Sequence, residues 1–117
     1  SGDFILSKSI TAINGLFNSY RCSAERKNIV FDINIFQFID LIQQKCHYCG
    51  AEPSNYRCYK SGGFMYNGLD KIDPHQGYTI DNVVTCCKKC NRSKSDMNTE
   101  EWLDHMENVL EHMKEKR

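Results

Sequence analysis

The chain has no run long and apolar enough to cross a bilayer, and its first residues lack the basic-then-apolar form of a secretion signal. It has no internal repeat and no low-complexity block. Neither sign of charge is in excess. The 15 Lys and Arg balance 15 Asp and Glu, which argues against a general polyanion binder unless the charges are segregated. An even cysteine count is also missing. Seven thiols without a secretion signal make a disulfide framework the weaker reading, and a reducing, cytoplasmic setting with no membrane partner is expected. At 117 residues, one compact domain is expected, near the size at which an apolar core alone gives modest stability.

What the chain does have is two Cys-x-x-Cys pairs, Cys46/Cys49 and Cys87/Cys90. Two intervening residues allow a tight turn to aim both sulfurs at one tetrahedral ion, and two such turns complete a closed four-thiolate site. A structural zinc ion is therefore expected. Such an ion contributes on the order of 10–16 kcal/mol in small zinc-folded peptides, comparable to the net stability of a whole domain. Because a closed site leaves no position for substrate, any chemistry must come from polar residues between the pairs and just after the second. Cys22, Cys58 and Cys86 are read as small buried apolar side chains. Cys86 adjoins Cys87, but only Cys87 has the right spacing to Cys90. His47 is read as exposed filler of the first turn, and His105 and His112 as surface residues.

The charge is segregated. Residues 46–95 hold seven Lys/Arg against four Asp/Glu, whereas residues 96–117 hold seven Asp/Glu against three Lys/Arg. Lys88, Lys89, Arg92 and Lys94 crowd the second cysteine pair, a local positive field suited to nucleic-acid phosphates. Apolar spacing predicts an amphipathic helix from about Ser9 to Lys27. A second helix is predicted from an Asn34 N-cap to near Lys45, after an extended link over 28–33. Residues 49–67 read as a loop or ragged hairpin, Asn67-Gly68 as a turn, and 69–73 and 83–85 as strands. A short helix over 87–95 and a final helix opened by an Asn98/Glu101 capping box complete the chain. The final helix's stripe of Trp102, Leu103, Met106, Val109, Leu110 and Met113 predicts core packing. The expected organisation is an α+β domain with an N-terminal helical extension (1–45), a zinc-stapled core (46–97) and a C-terminal helix (98–117).

The core resembles the HNH nuclease superfamily, the ββα-metal fold, in its phage-type branch with two Cys-x-x-Cys pairs. The resemblance rests on Cys46-His47-Tyr48-Cys49-Gly50, Gly68-Leu69-Asp70-Lys71-Ile72-Asp73, Gly77-Tyr78, Asp81-Asn82-Val83-Val84 and Cys87-Lys88-Lys89-Cys90-Asn91-Arg92-Ser93-Lys94. It implies a phage or mobile-element endonuclease, of homing or nicking type, acting on DNA inside a host cell. It further implies that Asp70 and Asn91 hold one catalytic Mg²⁺ or Mn²⁺, for which a carboxylate and an amide carbonyl are suitable hard oxygen donors. Asn82 resembles the family's middle Asn, which braces the loop or the base. The chain departs from the family pattern at Lys71, where His is usual. Three readings follow: Lys71 as a base of lowered pKa, Lys71 as a clamp on the scissile phosphate with the metal activating water, or His75 as the base. Asp73 either holds the loop or lends a second carboxylate. The rival reading is a nucleic-acid-binding module that kept the fold and lost catalysis; a zinc module for protein partners fits the oxygen-ligand pair less well.

Overall fold

The first helix, α1 (Gly2–Arg26), starts seven residues before the expected Ser9 and stops where its sequence provides a C-cap. Asn28 takes the left-handed conformation at φ 56°. The Ile29 and Asn28 N–H groups donate back to Ala24 and Glu25 carbonyls, at 2.9 and 3.1 Å, as in a Schellman motif. The computed structural model describes residues 2–59 and 62–116, so Lys60 and Arg117 of the charge inventory lie outside the described residues. α2 (Ile35–Ile42) is opened by a complete capping box between Asn34 and Gln37 and is shorter than expected at its C-terminal end.

Among the described residues the β elements form three two-stranded pairings. β1 (Phe31–Asp32), within the predicted extended link, pairs in parallel with β5 (Tyr78–Thr79). The segment expected to be loop or hairpin is a regular antiparallel hairpin, β2 (Asn55–Tyr59) with β3 (Gly62–Tyr66). β4 (Gly68–Lys71) runs antiparallel to β6 (Val83–Cys86), placing Asp70 opposite Val84 and Lys71 opposite Val83. α3 (Lys88–Lys94) follows β6 at once, completing a β-β-α unit.

One apolar core joins α1, α2 and the strands. Ala12, Ile13 and Leu16 of α1 meet Phe38, Ile39 and Ile42 of α2, with Phe64, Leu69 and Val83 from the strands. Phe38 is its centre. Its ring meets Phe17 and Tyr20 edge to face at centroid distances of 5.2 and 5.6 Å. A second cluster holds Cys46, Cys86, Cys87, Cys90 and Trp102.

Asn67 and Gly68 do not form the predicted turn. Asn67 is fully buried, and its amide donates to the Gln44 and Ala51 carbonyls, fastening β4 to the end of α2 and the first cysteine turn. At Gly68 a Cβ would stand 2.7 Å from the Tyr20 hydroxyl, so glycine is what lets that hydroxyl reach the Leu69 N–H, 3.1 Å away.

Three other expectations fail in the packing. α4 (Thr99–Glu115) opens on the predicted Asn98/Glu101 capping box. Of its apolar stripe, however, only Trp102 is buried; Leu103, Met106, Val109, Leu110 and Met113 remain 40% to 55% exposed. Helical periodicity reports that the apolar residues share a face, not that another element covers it. The helix is seated through its first turn, where Trp102 enters the cysteine cluster. Cys22 and Cys58 are exposed, not buried, because they lie on outward positions of α1 and β2, whereas Cys86 is buried as expected. Among the described residues no helix is long and apolar enough to cross a membrane.

These two environments should respond differently to truncation. Phe38→Ala should cost about 3–5 kcal/mol of unfolding free energy, the usual range for a fully buried aromatic ring. Met113→Ala should stay within about 0.5 kcal/mol of wild type. Denaturant titrations of the zinc-loaded chain measure both, and a large loss at Met113 would restore the stripe to the core.

Candidate active site and metal centre

Each cysteine pair sits on a turn with its own backbone support. In the first, Gly50 takes φ 78° and its N–H donates to the Cys46 carbonyl at 2.9 Å. The His47 N–H donates to Thr85 of β6 at 2.8 Å, fixing the turn to the strand. In the second, Cys87 is the N-cap of α3, its sulfur accepting from the Cys90 N–H at 3.4 Å. The Sγ atoms of Cys46, Cys49, Cys87 and Cys90 all lie within 4.8 Å of one another, and Cys49 and Cys87 approach to 3.6 Å. Tetrahedral zinc with bonds of about 2.3 Å separates its sulfurs by roughly 3.8 Å, so the cluster fits the ion. Burial pushes the Cys46 thiol up, but the N–H groups of Cys49, Cys87 and Tyr48 outweigh it and bring it down to about 6, favouring the thiolate. Burial and the adjacent sulfurs push Cys90 upward, a cost that a divalent cation among the thiols would offset. Cys86 stands outside the group. Its thiol faces the Cys87 carbonyl at 3.4 Å, and burial, with Asp70 nearby, raises its pKa.

Beside this centre, Asp70, Lys71 and Asn91 line one cavity of about 270 Å³, together with Tyr20, Lys27, Tyr78 and Asp96. β4 supplies the first two, and α3 supplies Asn91, next to Cys90. The Asp70 carboxylate is only 6% exposed, and both of its contacts fall on Oδ2. Tyr48 donates its hydroxyl to that oxygen at 2.8 Å, and the Lys94 Nζ lies 3.1 Å from it. Among the described residues no donor occupies Oδ1. An oxygen left free at a cavity edge, with an amide side chain lining the same cavity, is a donor set that fits a hard divalent cation.

Lys94 corrects the sequence reading. It is not a phosphate contact: it is fully buried, and its ammonium is satisfied by Asp70 and by the carbonyls of Lys71 (2.9 Å) and Met97 (2.7 Å). A cationic residue three positions after Asn91 falls one helical turn on, and the register of α3 turns it under β4 instead of outward. Lys88, Lys89 and Arg92 are exposed as expected. All three line an adjoining cleft of about 780 Å³, which shares Tyr20 and Asn91 with the smaller cavity.

Lys71 is partly buried, its ammonium 5.0 Å from the centroid of the Tyr78 ring. Burial, then the positive charge of Lys27, lowers its pKa from the usual lysine value. His75 is exposed and does not line the cavity; its backbone N–H bonds the Asp73 carboxylate at 3.0 Å. Asp73 also accepts from Gln76 and is committed to shaping this loop. Asn82 is buried within the same loop: Oδ1 accepts from the Asp73 N–H, while Nδ2 donates to the Asp73 and Gly77 carbonyls. His47, His105 and His112 are exposed, as expected.

Sequence reasoning missed Tyr20, Lys27, Tyr48 and Tyr78. Tyr48 carried a signal, since it sits between two metal-spaced cysteines. Burial pushes the Tyr20 hydroxyl up to about 12. Burial also raises Tyr48, and its hydroxyl joins Asp70 to Thr99 of α4, 2.9 Å away.

No family model matches the chain. It is 30% identical over 83 residues to the SPbeta prophage-derived putative HNH endonuclease YoqL of Bacillus subtilis (strain 168), an alignment covering 69% of this chain and 36% of that protein. It is 31% identical over 84 residues to Uncharacterized protein R423 of Acanthamoeba polyphaga mimivirus, covering 72% of this chain and 14% of that protein. Its structure is similar to that of the rare-cutting HNH restriction endonuclease PacI, with a TM-score of 0.59, 20% identity, and coverage of 77% of this chain and 70% of PacI's. The fold is shared with that HNH endonuclease. The chain spans 36% of the length of YoqL and 14% of that of R423.

If the four clustered cysteines hold one ion, the purified protein should contain about one zinc per chain. Cys87→Ser should lose it, and Cys86→Ser should retain it. Elemental analysis of both variants checks the assignment, and equal loss from Cys86→Ser would overturn it.

Proposed function

We propose that this HNH domain hydrolyses phosphodiester bonds in DNA as part of an endonuclease of phage or mobile-element type. The observation that carries the reading is the convergence of Asp70, Lys71 and Asn91 on one cavity that opens beside a basic cleft. YoqL is described as prophage-derived and as a putative HNH endonuclease, which agrees with this setting. Asp70 and Asn91 hold one Mg²⁺ or Mn²⁺, and the four-cysteine site holds structural zinc. When bound, the catalytic ion supplies neutralising charge at the scissile phosphate and the leaving oxygen.

The protein's own groups orient and exclude. Tyr48 and Lys94 fix the Asp70 carboxylate by one oxygen and direct the other to the cavity. Lys88, Lys89 and Arg92 hold backbone phosphates along the cleft. Asn82 keeps the 72–77 loop in the shape that places Lys71. Lys71 binds a non-bridging oxygen of the scissile phosphate as a fixed cation, and its seat beside the Tyr78 ring supports the charged form. His75, outside the cavity and tied by its backbone to Asp73, is a weaker candidate for the base.

Plasmid nicking with Mg²⁺ and Mn²⁺ tests the proposal. Asp70→Ala should abolish nicking. Lys71→Arg should keep much of the activity, Lys71→Ala should lose about 100-fold or more, and His75→Ala should change little. The pH dependence separates the roles of Lys71. Its pKa is lowered, so a clamp loses charge, and the rate falls, as pH rises through that value. A Lys71 base would gain activity over the same rise. A folded, DNA-binding Lys71→Arg with no activity would exclude the clamp, and DNA binding without any metal-dependent nicking would favour the non-catalytic module.

Contacts to phosphate should also show in the salt dependence. Neutralising Lys89 and Arg92 together should weaken binding to all DNA sequences alike and reduce the log–log salt slope by about 1.8, for two fewer counterions released. A loss confined to one sequence in binding assays would assign these residues to base reading instead.

A further inference from the structure

Resting on the proposed action on DNA, we infer that the β2–β3 hairpin enters the major groove and reads A·T pairs, with Asn55 on the adenine edge and Tyr56 and Met65 on thymine methyl groups. The inference comes from the two walls of the cleft of about 780 Å³, which differ in chemistry. α3 contributes Lys88, Lys89 and Arg92, and no acid lines the cleft. The facing wall is Ser54, Asn55 and Tyr56 with Tyr66, which offer hydroxyls, an amide and aromatic rings but no charge. A DNA strand is drawn to the first wall by its phosphates. Because a base projects away from its phosphate, a strand seated on α3 presents its bases to the hairpin.

The hairpin is mounted rigidly enough to serve as a reading element. Its inner face is spent on the fold: Phe64 enters the apolar core, and the Arg57 guanidinium packs on α1 so closely that a Cβ at Gly15 would stand 3.2 Å from its Nη2. The outer face carries Tyr56 and Met65, which lie opposite one another in the register and are 63% and 48% exposed. Tyr56 is nevertheless restrained. Its ring crosses to the partner strand over Gly63, where a Cβ would come within 2.7 Å of the ring carbon Cζ. A tyrosine held in this way loses little rotamer entropy when it meets a ligand. Among the described residues, β2 and β3 pair only with each other, and a two-stranded ribbon is narrow enough for the major groove.

Asn55 supplies the hydrogen-bond code. It adjoins Tyr56 at the cleft, and among the described residues its side-chain amide makes no hydrogen bond within the protein. An amide offers one acceptor beside one donor, and adenine presents the complement in the major groove, N6–H to the amide oxygen and N7 to the amide nitrogen. Asn91, the other amide of the cleft, is assigned to the ion. The hydroxyls of Ser54 and Tyr66 bond to donors and acceptors alike and discriminate less. The partner of adenine brings an apolar group of its own, the thymine C5 methyl, and the exposed Tyr56–Met65 pair is an apolar surface suited to it. One wall thus holds the backbone and the other distinguishes the bases.

The test uses the zinc-loaded protein and a random-sequence duplex library, without Mg²⁺ or Mn²⁺ so that no strand is cut, and sequences the bound duplexes. Wild type should enrich an A·T pair at one position or more. In the enriched duplex, replacing that adenine by 7-deazaadenine, which removes only the N7 acceptor, should weaken wild-type binding by about 10-fold. Asn55→Ala should bind the two duplexes equally. Asn55→Asp keeps the size but sets an acceptor against N7, and it should lose the preference too, so the inference remains testable if Asn55→Ala does not fold. Replacing a contacted thymine by uracil should cost wild type about 4-fold, the worth of one buried methyl, and should cost Tyr56→Ala nothing. Neutralising Lys89 and Arg92 together should weaken binding while leaving the A·T preference in place. Duplex binding without base preference would overturn the inference, as would wild-type indifference to 7-deazaadenine or an adenine preference that survives in a folded Asn55→Ala; each leaves the proposed function standing. A wild-type protein that binds no duplex at all would instead remove the proposed function, and this inference with it.

Discussion

The convergence of four cysteine sulfurs is the constraint on which the site depends. Cys46 and Cys49 follow α2, and Cys87 and Cys90 open α3, so holding their sulfurs within 4.8 Å fixes one helix end against another. The fixing is also chemical. Tyr48 lies between the first two cysteines, and Lys94 lies four residues after the last, and both reach the same oxygen of Asp70. A disturbance of either turn is therefore transmitted to the carboxylate through one side chain. Trp102 joins this cluster: its ring meets Tyr48 edge to face at 5.0 Å, and its indole N–H donates to Ser93 at 3.0 Å. The first turn of α4 is thereby part of the support of the site, while its later turns are not.

The buried Lys94–Asp70 pair is better understood as a positioning device than as a source of stability. Removing two charges from water costs several kcal/mol per ion, and such pairs often contribute no more than well-packed apolar residues would. Here the cost is reduced because every donor of the ammonium finds an acceptor. The result is a carboxylate held in the protein interior with one oxygen immobilised. It also ties β4, α3 and the α3–α4 link together, because its three acceptors belong to Asp70, Lys71 and Met97.

Local features were legible in the chain to the extent that their causes are local. Both capping boxes, Asn34/Gln37 and Asn98/Glu101, form because a side chain three residues from a helix start reaches its backbone whatever surrounds it. Gly50 and the two-residue spacing between cysteines set the metal-binding turns for the same reason. The β4–β6 pairing and the short α3 follow from an apolar, β-branched run ending at a cysteine that caps the next helix. The pairing of β2 with β3 is less legible, since the Gly, Ser and Tyr content of this segment is shared by irregular loops. The outer stripe of α4 was misread because periodicity identifies a face and not its neighbour.

The sequence by itself determined the four-cysteine cluster and the β-β-α order, since each is written in spacing or capping, while its family resemblance singled out Asp70, Lys71 and Asn91. Tertiary structure decided which charged groups surround them. The register of α3 placed Lys94 beneath Asp70 while leaving Lys88, Lys89 and Arg92 in the cleft, although all four look alike in the sequence. Packing of α1 against the strands brought Tyr20 and Lys27 to a cavity some 50 residues away in the chain, as the 49-residue separation of the Tyr20–Leu69 hydrogen bond records. Burial and long-range contact depend on the positions of all elements at once, so no short stretch of residues encodes them; spacing and capping depend on a few bonds of backbone, so a short stretch does.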